Sequence, residues 1–191
     1  MDLLLQCARN YEKLLDTAYR FTIARKGVVR EFTLSFQKSD FHHMAGLHKL
    51  TDKMSLQHGS REALFDKILS SAFNLAFLQS SFHFAEMRDR LTALTQLEKF
   101  LDSENLIFKY NENVRLSSSI KSEYLLEGLA DGATVYLFLG SRDGSDMSNQ
   151  MCRTFFPKTT IDYSYGQPRY TLLKKEKVCV SSGVVLLRYA R

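Results

Sequence analysis

The stretch that decides the fold is Tyr124-Leu125-Leu126-Glu127-Gly128-Leu129-Ala130-Asp131-Gly132-Ala133-Thr134-Val135-Tyr136-Leu137-Phe138-Leu139. Asp131-Gly132 is a turn signal, because glycine takes the positive φ that tight hairpin turns need, and β-prone runs flank it at 119–126 and 133–139. Four further runs rich in aromatic and branched residues lie around this pair, at 105–110, 150–156, 169–177 and 183–189. A second turn signal, the Gly140 to Ser148 segment with Asp143-Gly144, separates two of them. Such close spacing favours antiparallel neighbours over helix-bridged parallel strands, and a meander is the simplest topology.

Upstream of Asn105 the period changes. Leu4, Cys7, Tyr11, Leu14 and Ala18 recur at steps of three and four, which predicts a helix over about 2–18. Phe21 and Ile23, then Phe32, Leu34 and Phe36, alternate with polar residues around Gly27, which predicts a β-hairpin. Ser39 or Asp40 can cap a short helix from about 40 to 45 that Gly46 ends, and a helix of about 61–70 follows a polar loop over 47–60. Phe84, Met87, Leu91, Leu94, Leu97 and Leu101 mark a further helical stretch ending near Asp102. The fold class expected is therefore α+β in a single domain: a helix-rich part over 1–104, with its β-hairpin, packed on an antiparallel sheet over 105–191.

Composition limits the function classes. With 191 residues, 45% of them hydrophobic, and only 2 prolines and 9 glycines, there is neither a linker nor a repeat to divide the chain. No window reaches the roughly 18 apolar residues of a membrane span, and the amino terminus lacks a signal-peptide pattern, so no membrane association is expected. Cys7, Cys152 and Cys179 are odd in number and far apart, which suits a reducing, cytoplasmic setting. The formal charge of +5 is uneven: residues 1–104 carry 14 Lys/Arg against 13 Asp/Glu, and residues 105–191 carry 12 against 8. A basic excess attracts polyanions, so RNA is a candidate partner. There is no GxxxxGK[ST] phosphate loop, no GxGxxG after a strand and no GxSxG elbow, which argues against the corresponding nucleotide, redox and hydrolase chemistries.

Two clusters carry candidate chemistry. In Phe41-His42-His43-Met44-Ala45-Gly46-Leu47-His48-Lys49, helical geometry puts His43 on the side away from Phe41, so Phe41 can anchor the segment while His43 faces a cleft. Histidine suits proton transfer near neutral pH. His42, His43, His48 and Asp52 offer the donors of a zinc site, but the spacing fits no established motif, and no metal or cofactor is expected. The other cluster is Cys152-Arg153-Thr154-Phe155-Phe156-Pro157-Lys158, followed by Tyr163, Tyr165, Arg169 and Tyr170. Strand alternation groups Arg153 with Phe155, against Cys152, Thr154 and Phe156; further on it aligns Tyr170 with Leu172 and Lys174, against Thr171, Leu173, Lys175 and Lys177. Cations among aromatics can hold phosphates and stack unpaired bases, or the aromatics can be core and the cations solvated. Lys121, between Ile120 and Glu123-Tyr124, is a smaller candidate of the same kind.

The hairpin ending Glu31-Phe32-Thr33-Leu34, the segment Asp40-Phe41-His42-His43-Met44-Ala45-Gly46-Leu47, Phe100-Leu101-Asp102-Ser103 and Arg153-Thr154-Phe155-Phe156-Pro157-Lys158 together resemble one bacterial and phage-associated family. It is the fourth of the phage-encoded families grouped with barnase, EndoU, colicin E5/D and RelE. The likeness spans nearly the whole chain. Its most specific part is the Phe-x-His-x-x-Gly-Leu pattern at Phe41, His43, Gly46 and Leu47; Met44 stands where the family typically has leucine. The resemblance implies helices packed on an antiparallel sheet of about four main strands, and metal-independent RNA cleavage in which the 2′-hydroxyl attacks the adjacent phosphate. It further implies His43 as general base or acid, Arg153 as phosphate stabiliser, Lys158 or Lys174 as a further phosphate contact and Tyr170 as a stacking or acid group. Lys49, Lys121, Tyr163, Arg169 and Lys174 are the candidate binding residues. The competing expectations are a non-catalytic RNA- or protein-binding domain, and a phage or mobile-element toxin neutralised by an acidic protein. Catalysis requires His43 and Arg153 to meet in one cleft from about 110 positions apart.

Overall fold

The computed structural model describes residues 2–114, 118–144 and 146–190; Ser145, inside the turn expected between Gly140 and Ser148, lies outside them. In chain order the elements are α1 (Leu3–Glu12), β1 (Thr17–Arg25), β2 (Val28–Ser35), α2 (Phe41–Met44), α3 (Met54–Gln57), α4 (Arg61–Leu69), α5 (Leu75–Gln79), α6 (Ala85–Leu94), α7 (Leu97–Asp102), β3 (Leu106–Lys109), β4 (Tyr124–Ala130), β5 (Ala133–Ser141), β6 (Asn149–Pro157), β7 (Arg169–Cys179) and β8 (Val185–Ala190). Single 3-10 turns, one of them Lys38–Asp40, lie between some of these. Among the described residues no helix is long and apolar enough to cross a membrane.

The class is α+β, but the sheet is not the open antiparallel meander that was expected. Its strands run in the order β1-β2-β6-β5-β4-β3-β7-β8, and β1 also pairs with β7, which closes a barrel-like ring and leaves β8 alongside one end of β7. Strands β3 to β6 do form a meander. The parallel contact of β2 with β6, at Thr33 opposite Asn149 and Leu34 opposite Gln150, departs from antiparallel pairing. Closure leaves fewer unpaired strand edges, which is the usual benefit of a barrel.

Helix α1 starts where the Asp2 carboxylate accepts the Leu5 amide, and it ends at Glu12, well short of residue 18. Ala18 satisfies both the helical spacing of Leu4, Cys7, Tyr11 and Leu14 and the strand alternation of β1; pairing of Ala18 with Val178 and Ser35 decides it for the strand. The stretch 84–102 is likewise broken, into α6 and α7, and α5 lies before it. One core joins the inner face of the ring to the helices. It includes the stacked rings of Phe21, Phe32 and Tyr124, with centroids 4.8 and 4.5 Å apart. A smaller apolar cluster of Phe108, Tyr110, Leu125, Tyr136 and Phe138 lies on the other face, with Ile120, Phe156 and Tyr163 packed on it. This explains why β5 is apolar at nearly every position: both of its faces are covered.

Two β-bulges change which side chains share a face. On β6, Cys152 opposes Leu139 and Thr154 opposes Phe138, so Arg153 is the extra residue and the alternation shifts by one. Cys152 and Phe155 are therefore both buried in the core, and the expected grouping of Arg153 with Phe155 does not hold. On β7, Lys174 opposes Thr22 and Leu172 opposes Ile23, so Leu173 is extra. Leu172, Lys175 and Lys177 are consequently buried, and the expected alignment of Leu172 with Lys174 fails. The Lys175 ammonium donates to the carbonyls of Leu101, at 2.6 Å, and Ser103, while Lys177 pairs with Glu98 at 2.7 Å and Asp102 at 3.0 Å. Both cations lie near the carboxyl end of α7, where the helix dipole favours positive charge.

A buried ion pair joins the helical part to the sheet. Arg142, just after β5, reaches Asp40 through two nitrogens, at 2.9 and 3.3 Å, and donates to the Ser35 carbonyl at 2.9 Å. Asp40 also accepts the Gln37 amide at 3.0 Å. Removing one member of such a pair strands the other charge away from water. Asp40→Ala should therefore lower unfolding stability by about 3–5 kcal/mol in urea. A loss below about 1 kcal/mol, the range of a surface pair, would contradict that account.

Candidate active site

His43 reaches its position through a local chain of constraints. Phe41 is buried against Tyr11 and Phe65, with ring centroids 5.5 and 5.0 Å away, and fixes the start of α2. Two residues on, His43 points the other way, into a cleft of about 560 Å³ between the helical part and β6. Gly46 ends the turn at φ 76°, and an added Cβ there would lie 3.1 Å from Arg90 Cδ. The Phe-x-His-x-x-Gly-Leu pattern thus has a physical reading: Phe41 anchors, His43 projects, Gly46 lets Arg90 of α6 come alongside, and Leu47 returns the chain to the core.

The opposite wall comes from the bulge on β6, which turns Arg153, Thr154 and Phe156 toward the same cleft. Bulges are a known way of re-aiming a side chain beside a site. Arg153 lies against Gly140, where an added Cβ would be 2.5 Å from Arg153 Nε, and it donates to the Ser141 carbonyl at 3.2 Å. Arg90 donates to Thr154 Oγ1 at 2.6 Å, and its guanidinium lies 4.7 Å from the centre of the Phe156 ring.

His43, Lys49, Lys121, Arg153 and Tyr163 all line this cleft, together with His48, Arg90 and Asp89. The convergence of His43 and Arg153 that catalysis would require is present. A second hollow of about 550 Å³ adjoins the first, since Lys121 and Arg153 line both. The other candidates lie elsewhere. Lys158 pairs with Asp162 at 2.8 Å and sits over the Tyr136 ring; this pairing raises its pKa and lowers that of Asp162. Arg169 and Tyr170 line a separate hollow with Glu104, Asn105 and Tyr189, and Lys174 pairs with Glu176 at 3.0 Å beside Arg20 and Glu31. Arg90 was missed by sequence reasoning. Its signal was a cation on the Met87, Leu91 and Leu94 stripe of α6, three residues after Met87.

Burial pushes the pKa of His43 down to about 4, helped by the nearby Arg61, His42 and Arg153 charges. His48 is likewise lowered to about 4, by burial first and then by His43, Arg90, His42 and Lys49. His42 is buried and also shifted down, chiefly by desolvation; its Nε2 lies 2.9 Å from the Leu56 carbonyl. One ring nitrogen from each of His42, His43 and His48 lies within 4.8 Å of the others, so among the described residues these three can hold a metal ion. Asp52 does not join them: its carboxylate accepts from Ser81 Oγ and from the Phe82 amide.

The cleft thus gathers imidazoles from the helical part with guanidinium groups from α6 and β6 on an α+β frame. The chain belongs to the phage-Barnase-EndoU-ColicinE5/D-RelE like nuclease4 family, whose model matches residues 3–191. No curated protein and no solved structure gives a match.

The two glycines make separable predictions. Gly46→Ala places a Cβ at a left-handed backbone position and should cost about 1–3 kcal/mol of stability. Gly140→Ala meets the movable Arg153 side chain first, so it should cost less than about 1 kcal/mol while displacing the guanidinium. Urea unfolding of both variants checks this ranking; equal losses would contradict it.

Proposed function

We propose that the protein is an RNA endonuclease that cleaves by attack of a ribose 2′-hydroxyl on the adjacent phosphate, without a metal ion. The observation that carries this reading is the meeting of His43 and Arg153 in one open cleft. In this mechanism His43 removes the 2′-hydroxyl proton as the oxygen bonds to phosphorus. Arg153 and Arg90 face the negative charge that accumulates on the phosphorane oxygens. His48, lowered to about 4, is neutral at pH 7, so the proton that His43 has taken is handed on to the departing 5′-oxygen, giving a 2′,3′-cyclic phosphate and a free 5′-hydroxyl. The guanidinium of Arg90 is preoriented by Thr154 and by the Phe156 ring, so it needs little rearrangement as charge develops.

The adjoining hollows suit a polynucleotide more than a mononucleotide. Lys121 and Arg153 stand where the two meet, and a strand crossing that point would place one phosphate against both cations. Tyr163 offers an aromatic edge on one side. Lys158, Tyr170, Arg169 and Lys174 take no part in this mechanism, because Lys158 and Lys174 are held by Asp162 and Glu176 while Arg169 and Tyr170 line a separate hollow. We place the activity in a cytoplasm, in keeping with three free cysteines, and associate it with phage or mobile elements through the family.

The test is cleavage of mixed-sequence single-stranded RNA in excess EDTA. Wild-type protein should cut and leave cyclic phosphate ends. His43→Ala should be slower by about 10²–10⁴-fold, and Arg153→Ala by about 10²–10³-fold. Retention of RNA without cutting would make it a binding domain, and equal cutting by wild type and His43→Ala would remove His43 from the chemistry.

A further inference from the structure

The buried face of the cleft carries a feature that RNA cleavage does not use. His42 takes no part in lining the main cleft; with His48 it borders a small cavity of about 120 Å³ behind it. A carbonyl oxygen only accepts, so the contact of His42 Nε2 with the Leu56 carbonyl at 2.9 Å fixes the proton on Nε2. Nδ1 of His42 is then a bare lone pair, and it is buried with no hydrogen-bond partner. The same is true of burial and partner for Nδ1 of His48. Two orphaned buried nitrogens in adjacent rings are costly unless something uses them.

We propose that His42, His43 and His48 bind one zinc ion, and that the bound ion shuts the cleft against the phosphodiester. Imidazole nitrogens bound to zinc lie about 2.0–2.1 Å from the metal. Tetrahedral geometry then spaces them about 3.3 Å from one another. The nitrogens now lie within 4.8 Å of one another, a gap that ring rotation of the half-buried His43 and His48 toward the buried His42 can close. The Leu56 carbonyl supplies the outer hydrogen bond that commonly orients a metal-binding histidine. Ligand type sets the class of ion. Magnesium and calcium need oxygen donors, and Asp52 is committed to Ser81 and Phe82. Lys49, Arg90 and Arg153 weigh against any dication, so only ions with a strong preference for nitrogen overcome them.

The consequence for activity rests on the nuclease reading; the binding itself does not. Zinc on His43 would occupy the nitrogen that handles the proton in the proposed cleavage, and would leave RNA with no base. His42 lies outside that chemistry, so it separates the two functions. In His42→Gln the amide nitrogen can still donate toward the Leu56 carbonyl, while the third metal ligand is gone.

Calorimetric titration of chelator-treated full-length protein with zinc sulfate tests binding. Wild type should take up one equivalent, and His42→Gln should bind at least about tenfold more weakly. His48→Gln, read for binding only, repeats the test if His42→Gln fails to fold. Absence of uptake, equal binding by the variants, or equal binding of magnesium would overturn the site. RNA cleavage supplies the other arm. Zinc should inhibit wild type, whereas His42→Gln should cut at the wild-type rate in EDTA and resist zinc. Zinc uptake by a protein that never cuts RNA would keep the site and refute the nuclease. Cutting that continues undiminished with zinc bound would overturn the closure.

Discussion

The Asp40 carboxylate and the Arg142 guanidinium, held together at 2.9 and 3.3 Å, join the two parts of the molecule on which everything at the cleft depends. Asp40 precedes Phe41, the anchor of the histidine segment, and Arg142 follows β5, the strand on which Arg153 leans at Gly140. The same guanidinium caps the Ser35 carbonyl at the end of β2. The stretch from Ser35 to Asp40 and the end of β5 therefore share one charge pair. Such a pair contributes little to net stability relative to an apolar substitute, because both charges must leave water. What it supplies is position: an apolar contact would tolerate sliding, and two directional hydrogen bonds between charged groups do not.

The two bulges divide the basic residues of the sheet into different tasks. The extra residue on β6 turns Arg153 toward the histidines, and the extra residue on β7 turns Lys175 and Lys177 into the molecule. Burial pushes the pKa of Lys175 down to about 8, against the opposing pull of Asp102 and Glu104. Part of the positive excess after residue 105 is thus spent on securing the end of α7. The cations that line the cleft are fewer than the count of lysines and arginines suggests, and they include Arg90 from the helical part.

Sequence periodicity served well where one local pattern acted alone. The hairpin around Gly27, the helix after Ser60 and the strands at 133–139 and 150–156 stand close to where alternation or helical spacing put them. So does the outward aim of His43, since Phe41 and His43 sit on opposite sides of one turn. The errors arose where two patterns overlapped or long-range pairing intervened. Ala18 fits helix and strand alike, and its pairing with Val178 is invisible locally. Arg153 and Leu173 are bulged only with respect to partner strands, so faces assigned by strict alternation came out wrong beyond them. Ring closure depends on β1 meeting β7 and on the short parallel contact of β2 with β6, neither of which leaves a mark in nearby residues.

The cleft is a junction: imidazoles brought by the helical part, guanidinium groups from α6 and the bulged strand, and a buried charge pair nearby joining helical part to sheet. The proposed cleavage requires a phosphodiester between His43 and Arg153. The most direct measurement is a crystal structure with a short RNA in which the attacking sugar is 2′-deoxy and cannot react. The account predicts one phosphate within hydrogen-bonding reach of Arg153, with the 2′ carbon facing His43. A strand lying instead along Arg169, Tyr170 and Lys174, with the His43 cleft empty of phosphate, would contradict it.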